Sequence, residues 1–456
     1  MMDNTHDIVI IGAGLTGLTT AFALRNKNRN VTILERADRV GGQIQSHHVN
    51  GFVFESGPNT GVVKYPEVMD LFHSLNDGCK LEIAQVSAKR RLIWKGNKFH
   101  ELPSGLLSAI TTPLFSTYDK LRILTEPFRA KGNNPDESVA ELTKRRLGTS
   151  YLDYAVDPFL AGVYAANPTM LPTKYALPKL YDLEQDYGSF ILGAIKKARQ
   201  PKTDRDKTAT KEVFSTHGGL SSLTNAMADR IGSDNILLNA KSISITPSAD
   251  GFDINYTVNG EQHNIKCNKV VTTCGAYALS ALLPFVDSDI MQSITSLKYA
   301  PVIQVGVGIA DTKGVNHSAF GGLVPSKEKR DVLGILFPSD CFAERAPQKG
   351  AAYAFFIGGM RHPEMINLSD EEIKRHVIDD LHSMMKYPTT IQPEAINIYR
   401  HDKAIPQYES STGNRLKSID LLQQTYPGLV IAGNLKDGIG MGDRIKQAYD
   451  IAASMK

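Results

Sequence analysis

No stretch of this chain stays apolar for the roughly twenty residues that a membrane-spanning helix requires, so none is expected. Cysteine is scarce. Cys79, Cys267, Cys274 and Cys341 make no CxxC pair and read as reduced thiols, which excludes a disulfide framework. The twelve histidines show no ligand spacing. His47 and His48 adjoin but would point to opposite faces of a strand, and no metal is expected. A dominant charge is absent too. A net charge of +3, with 22% charged residues and no basic stripe among the aromatics, gives no long-range attraction for nucleic acid. The first strand opens within the first ten residues, so no signal peptide is expected and the expected location is cytoplasmic. What the 456 residues do hold is 42% hydrophobic content, enough for a large core in two or three domains.

The most specific feature is the run Ile8-Val9-Ile10-Ile11-Gly12-Ala13-Gly14-Leu15-Thr16-Gly17. A second apolar strand follows, Val31-Thr32-Ile33-Leu34, closed by Glu35. A strand, a GxGxxG turn, a helix and an acidic residue at this distance describe an adenine dinucleotide held by backbone. Gly12 allows the tight turn, Gly14 admits a pyrophosphate, and Gly17 packs helix against strand. The helix N-terminus offers the phosphates unpaired N–H groups and the positive end of its dipole. Glu35 can accept ribose hydroxyls, and its charge argues against a 2′-phosphate.

Two further segments favour FAD over a nicotinamide cofactor. Glu35 is followed by Arg36-Ala37-Asp38-Arg39-Val40-Gly41-Gly42-Gln43, and then by Phe54-Glu55-Ser56-Gly57-Pro58-Asn59-Thr60. The bland reading is an ordinary Gly-Gly turn. The alternative is an RxGG segment that passes close under an extended cofactor, with an arginine beside its phosphates. The far end of the chain favours the second. Leu429-Val430-Ile431-Ala432 is a short strand ending at Gly433 and Asn434, before Asp437-Gly438-Ile439-Gly440-Met441-Gly442-Asp443 and a helical pattern from Arg444. This second helix N-terminus, with glycines and a carboxylate, suits the isoalloxazine and ribityl end of FAD. The cofactor domain is thus built from both termini.

Between them, residues 105–200 read as mainly helical, with breaks at Pro113, Pro127, Pro135, Pro158 and Pro168. Asp136–Leu147 has the pattern of an amphipathic helix ending at Gly148, and Lys196–Lys207 reads as a solvated linker. Gly105–Phe115, Leu121–Leu124 and Pro127–Arg129 set apolar residues beside basic ones, which suits a membrane surface or helices packed on their own domain. Strands are expected at Ile236–Asn239, Ser242–Ile245, Phe252–Val258 and Val270–Cys274. More follow at Val302–Ile309, Leu333–Phe337, Ala352–Ile357 and Ile396–Tyr399, with one helix at Asp370–Met385. The fold class is α/β, α+β overall.

Taken in order, these segments resemble the porphyrinogen-oxidising flavoenzymes, the protoporphyrinogen and coproporphyrinogen III oxidases. The resemblance spans nearly the whole chain: Phe54–Pro58, Leu102–Leu106, Asp157–Ala165, Gly218–Leu220, Phe320–Ser326, Leu333–Ile335, Ala404–Tyr408 and Ala432–Asn434. Gly162-Val163-Tyr164-Ala165 and Ile405-Pro406-Gln407-Tyr408 are specific within the wider amine-oxidase superfamily. The resemblance implies a Rossmann-like FAD domain (residues 1–85, 212–288 and 404–456) and a mixed-sheet substrate domain (86–104 and 289–403). It also implies a helical insertion with a linker, linked to peripheral membrane contact, at 105–211. Non-covalent FAD contacts map onto Gly12, Ala13, Gly14, Leu15, Thr16, Gly17, Glu35, Arg36, Gly42 and Gln43. They continue through Gly57, Pro58, Asn59, Thr60, Gly438, Ile439, Gly440 and Met441. Ser242 joins them where the family usually has valine, through a main-chain contact. Arg91 resembles the propionate-pairing arginine, Phe320 and Leu323 the ring clamp, and Gly162 a pocket-lining position. Arg90 and Arg91 would face opposite sides of a strand, so only one can pair a propionate, and the sequence leaves open which. Implied partners are the tetrapyrrole, dioxygen, ferrochelatase and a second copy in a homodimer.

The chemistry agrees with these needs. Converting a porphyrinogen to a porphyrin removes six electrons, and a flavin accepts two at a time as hydride at N5, so three cycles with dioxygen giving hydrogen peroxide suffice. Such an enzyme needs a flat apolar slot and an anchor for propionates, which arginine's planar fork supplies best. Aromatisation drives the later steps, and no strong general base is expected. Protoporphyrinogen IX is the first expectation and coproporphyrinogen III the alternative. An amine oxidase would carry Ala-Gly-Glu where this chain has Ala432-Gly433-Asn434, and a carotenoid desaturase lacks the Ile-Pro-Gln-Tyr segment. A non-catalytic flavin-bearing partner of the haem pathway is the remaining rival.

Overall fold

A computed structural model describes residues 5–201 and 203–455. Ile8–Ile11 is buried on both faces, as a central strand of a parallel sheet must be. Thr5–Ile11 pairs in parallel with Val31–Leu34 on one side and with Glu261–Thr272 on the other. Among the described residues this sheet has seven strands. From one edge they run Ile236–Leu237, Val31–Leu34, Thr5–Ile11, Glu261–Thr272, Gly251–Val258 and Lys241–Ser248, with Leu429–Ile431 also paired to Glu261–Thr272. Helices cover both faces. Leu15–Arg25, Pro66–Leu75, Ser221–Ile231 and the C-terminal Met441–Ser454 pack on one side, and Ser288–Thr295 and Thr412–Thr425 on the other.

A second seven-stranded sheet has the order Ala395–Pro406, Tyr299–Ile309, Ala351–Gly358, Val332–Leu336, Gly321–Leu323, Arg91–Lys95 and Lys98–Glu101. Its pairs are antiparallel except Gly321–Leu323 against Arg91–Ile93. The helix Asp370–Ser383 covers one face through Ile373, Val377 and Leu381. The hairpin Ser46–Glu55 packs Phe52 and Phe54 with Ala352 and Ala395 of this sheet, and so joins the two halves. Gln304 and His401, both on the second sheet, reach the main-chain carbonyls of Glu55 and Ser56.

Residues 106–198 form short helices tied by a buried ion cluster. The Glu126 carboxylate accepts from Arg146, from Ser189 Oγ and from Phe190 N, and so holds the start of the helix Phe190–Ala198. Among the described residues, no helix is long and apolar enough to cross a membrane.

Local structure departs from the sequence pattern where partners intervene. The helix expected from Asp136 begins at Val139, because Ser138 and Glu141 form a reciprocal capping box. Of the expected linker, Lys196–Ala198 finishes a helix and Asp204–Lys207 forms a helical turn anchored by Arg205 to Glu67 and Asp70. Lys202 lies outside the described residues. The strand expected at Val270 starts at Glu261, since its exposed polar half is held by an antiparallel hairpin and carries no apolar run. The strand expected at Ile396–Tyr399 extends from Ala395 to Pro406, because Tyr299–Ile309 pairs along it through the polar residues.

Candidate functional site

The helix Leu15–Arg25 starts at Gly14 with no side-chain cap and no acidic residue in its first turn, which leaves its end suited to an anion. A Cβ at Gly17 would lie 1.9 Å from the Gly12 carbonyl oxygen, so only glycine permits this approach of helix to strand end. A Cβ at Gly14 would meet no atom within 4 Å. The two glycines therefore differ: Gly17 faces protein, and Gly14 faces open space. Glu35 is buried at the strand end, where Oε2 accepts from Ala13 N at 2.7 Å and Oε1 from Ala37 N at 2.8 Å. Each oxygen keeps a further lone pair.

Several residues picked out along the chain meet at this turn. Gly14 and Gly41 form a parallel bridge, and Arg39 braces the turn by donating to Gly42 O at 2.9 Å and Val40 O at 3.1 Å. Gly57 lies against the Gln43 carbonyl, which brings the Gly41–Gln43 and Gly57–Thr60 segments together. Asn59 Oδ1 is buried there without a hydrogen-bond partner among the described residues. Arg36, Gly42 and Gln43 are exposed, while Pro58 and Thr60 are half-buried. Ser242 is exposed at a bulge with φ +49°, two residues beyond Ala240, whose N–H donates to Glu35 O at 2.9 Å. Valine would be strained in that conformation.

The C-terminal loop is clasped to the same region. Asp443 accepts from Lys64, from Tyr65 OH at 3.1 Å and from Gly440 N at 3.2 Å, which ties Gly438–Met441 to the chain after Thr60. Arg444 donates to Gly433 O and, at 2.8 Å, to Lys436 O, and Tyr408 OH donates to Asn434 O at 2.7 Å. Lys64, Tyr65, Tyr408 and Arg444 were not picked out from the sequence as site residues. Tyr408 belongs to the Ile-Pro-Gln-Tyr motif, but Lys64 stands 379 residues from its partner and no local pattern marks it. Glu55 ties the hairpin to the helix Ser221–Ile231 by accepting from Ser46 Oγ and Leu220 N, both at 2.8 Å. Burial pushes its carboxyl up to about 7.

The second sheet contributes a cation beside an apolar wall. Arg90 pairs with Glu101 at 3.1 Å and donates to Ser318 O at 2.9 Å. Arg91 is exposed, makes no ion pair among the described residues, and lies 5.7 Å from the centre of the Phe320 ring. Gly162, in the helix Asp157–Tyr164, abuts Leu323; a Cβ there would come within 2.3 Å of Leu323 Cδ2. Asp157 fixes this helix by accepting from Arg361 and from Ser326 N at 2.9 Å. A π-helical turn, Leu152–Val156, leads into it. Among the described residues, no group of three or more metal-ligating side chains converges. The arrangement offers an anion-accepting helix end, a clasped glycine loop, and a free guanidinium beside an aromatic ring.

Comparison with known proteins finds relatives along nearly the whole chain. Residues 15–443 match the family described as flavin containing amine oxidoreductase. Protoporphyrinogen oxidase 1, chloroplastic, of Arabidopsis thaliana is 30% identical, covering 98% of this chain and 87% of the relative. Coproporphyrinogen III oxidase of Bacillus subtilis (strain 168) is 24% identical over 98% of this chain and 97% of that one. A solved structure from Exiguobacterium sp. 255-15 shares the fold, with a TM-score of 0.80 at 21% identity over 98% of each chain. This chain is a flavin-dependent oxidoreductase: it belongs to the flavin-containing amine oxidoreductases and, within them, to the protoporphyrinogen and coproporphyrinogen III oxidases.

Proposed function

We propose that this protein is an FAD-dependent oxidase that converts protoporphyrinogen IX to protoporphyrin late in haem synthesis, with dioxygen as acceptor and hydrogen peroxide as product. The observation that carries the reading is Arg91, without an ion pair among the described residues and set over Phe320 beside Leu323 and Gly162. Its planar fork suits a propionate, and the apolar residues suit the face of a tetrapyrrole. FAD, bound non-covalently, would supply hydride acceptance two electrons at a time.

The uncapped helix start at Gly14 and the open space beside it fit a pyrophosphate. Glu35 stands where it can take ribose hydroxyls, and the unpartnered Asn59 Oδ1 fits a ligand donor. Asp443, Lys64 and Arg444 hold the Gly438–Met441 loop, which would lie along the flavin. In this reading residues 1–85, 212–288 and 404–456 make up the cofactor domain, 86–104 and 289–403 the substrate domain, and 105–211 the helical insertion, except that the helix Ser288–Thr295 packs on the cofactor sheet and Ala404–Pro406 completes a strand of the second sheet. Leu107, Tyr118, Leu121, Leu124 and Phe128 are all exposed on that insertion, which supports peripheral contact with the cytoplasmic membrane face.

Coproporphyrinogen III is the second reading, favoured by the end-to-end match to the Bacillus subtilis relative. Initial rates on both porphyrinogens, read as porphyrin fluorescence above the autoxidation control together with peroxide, decide between them. A faster rate on protoporphyrinogen IX is expected. Failure to turn over either would overturn the whole assignment.

A further inference from the structure

A cleft of about 320 Å³, lined by Lys64, Lys197, Gln200, Asp206 and Lys211, lies where the helical insertion meets the segment after Thr60. Main-chain bonds between Lys211 N and Val63 O and between Val63 N and Glu212 O, both 2.9 Å, hold the return of the insertion against that segment. Lys197 stands in the last turn of the helix Phe190–Ala198. The charges here are unbalanced. Lys64 pairs with Asp443, and Asp206 caps its own helical turn by accepting from Thr203 N at 3.1 Å and Thr203 Oγ1 at 2.7 Å. Among the described residues, Lys179, Lys197 and Lys211 have no carboxylate within ion-pair distance. Lys179, whose ammonium lies 5.8 Å from the centre of the Tyr65 ring, is held below the usual lysine range, first by burial and then by Lys64, Lys211 and Lys197. Crowded ammonium groups repel one another, and an oxyanion between them relieves that repulsion.

Val213, two residues after Lys211, packs in the same apolar cluster as Phe320, which brings this end of the cleft toward the candidate slot. Lys64 reaches inward to Asp443, and the pair faces the half-buried Tyr164, two residues after Gly162, whose hydroxyl is pushed up first by burial, with Lys64 opposing and Asp443 adding to the shift. The Tyr164 carbonyl in turn accepts from Gln407 Nε2 at 3.0 Å. We propose that this lysine cleft is a second oxyanion site, which receives carboxylate arms of the tetrapyrrole and is separate from the anchor at Arg91. The proposal rests on the porphyrinogen reading above.

The test compares the flavin-loaded wild type with a Lys197→Gln, Lys211→Gln double variant, both residues lying away from the flavin loop. The probes are coproporphyrin III and its uncharged tetramethyl ester in a neutral detergent, read by fluorescence anisotropy. The double variant should bind the acid about tenfold more weakly and the ester equally well. The difference should vanish at about 1 M salt. Equal loss for acid and ester, or no loss for either, overturns the proposal. So does a loss of co-sedimentation with phosphatidylglycerol vesicles at unchanged porphyrin affinity, which makes the cleft a lipid headgroup site. Wild-type turnover of porphyrinogen is read separately. An active wild type with no difference in binding sinks the cleft alone, whereas an inactive wild type sinks the reading on which it rests.

Discussion

Arg90 and Arg91 are chemically the same residue, but Arg91 opens the strand Arg91–Lys95 while Arg90 stands just before it, at the end of the turn Val86–Lys89, and the segments packed against them separate their roles. Lys98–Glu101 pairs with the arginine strand and sets Glu101 beside Arg90, while Gly321–Leu323 sets Phe320 beside Arg91. Strand alternation would set the two on opposite faces only if both lay in the strand; the strand begins at Arg91, so their different partners come from the segments that meet there after folding. Arg91→Ala should raise the KM for a porphyrinogen about tenfold with the flavin absorbance unchanged, while Arg90→Ala leaves KM near the wild-type value. Steady-state kinetics on the two variants check this. Glu55 gives a pH prediction at the same scale. Burial raises its carboxyl from 4.5 to about 7, so between these values the folded state binds the extra proton. Its contribution is complete below about 4.5 and is lost as pH rises through about 7, a span of about 3 kcal/mol. Thermal unfolding of Glu55→Gln should accordingly vary less with pH across that window than the wild type does.

At the scale of the element, the strand–glycine–helix unit was the most legible part of the chain, because its geometry is local. Gly12, Gly14, Gly17 and Glu35 lie within one turn or one crossover of one another. The structure adds a division of labour between the glycines. Gly17→Ala would drive a methyl group onto the Gly12 carbonyl and should destabilise the flavin-free protein by about 3 kcal/mol. Gly14→Ala, with no atom near its added methyl, should keep flavin-free stability within about 1 kcal/mol and still lose flavin retention. Denaturant melts of stripped protein and the flavin content of purified protein separate the two outcomes. Elements whose ends depend on distant partners were less legible. Glu261–Thr272 is long because a hairpin pairs its polar half, and Val139–Arg146 is short because Ser138 leaves the helix to cap it.

Among the described residues the molecule is built on two seven-stranded sheets, with a three-stranded sheet, a hairpin and a helical insertion, and the chain crosses between the large sheets several times. The insertion carries its apolar residues outward: Leu121 is 61%, Leu124 70% and Phe128 89% exposed. A pattern of apolar and basic residues suited either a packed face or a lipid-facing one, and only the tertiary arrangement shows that these side chains stand exposed among the described residues. Leu124→Glu with Phe128→Glu should reduce co-sedimentation with anionic vesicles and leave turnover of dispersed substrate unchanged. Equal co-sedimentation by the variant and the wild type would return this face to an ordinary surface.

By itself the sequence determined a dinucleotide cradle, the use of both chain ends to build it, and the alternation of strands and helices that makes an α/β protein. These follow from short-range spacing, in which each residue's neighbours are set by helical or strand period. Only the tertiary structure decided which arginine lacks an ion pair among the described residues, that Lys64 and Tyr65 clasp Asp443 across most of the chain, and where Lys64, Lys197 and Lys211 gather. Those depend on which segments meet after folding, and an ion pair or a cleft between distant segments leaves no period in the chain that forms it.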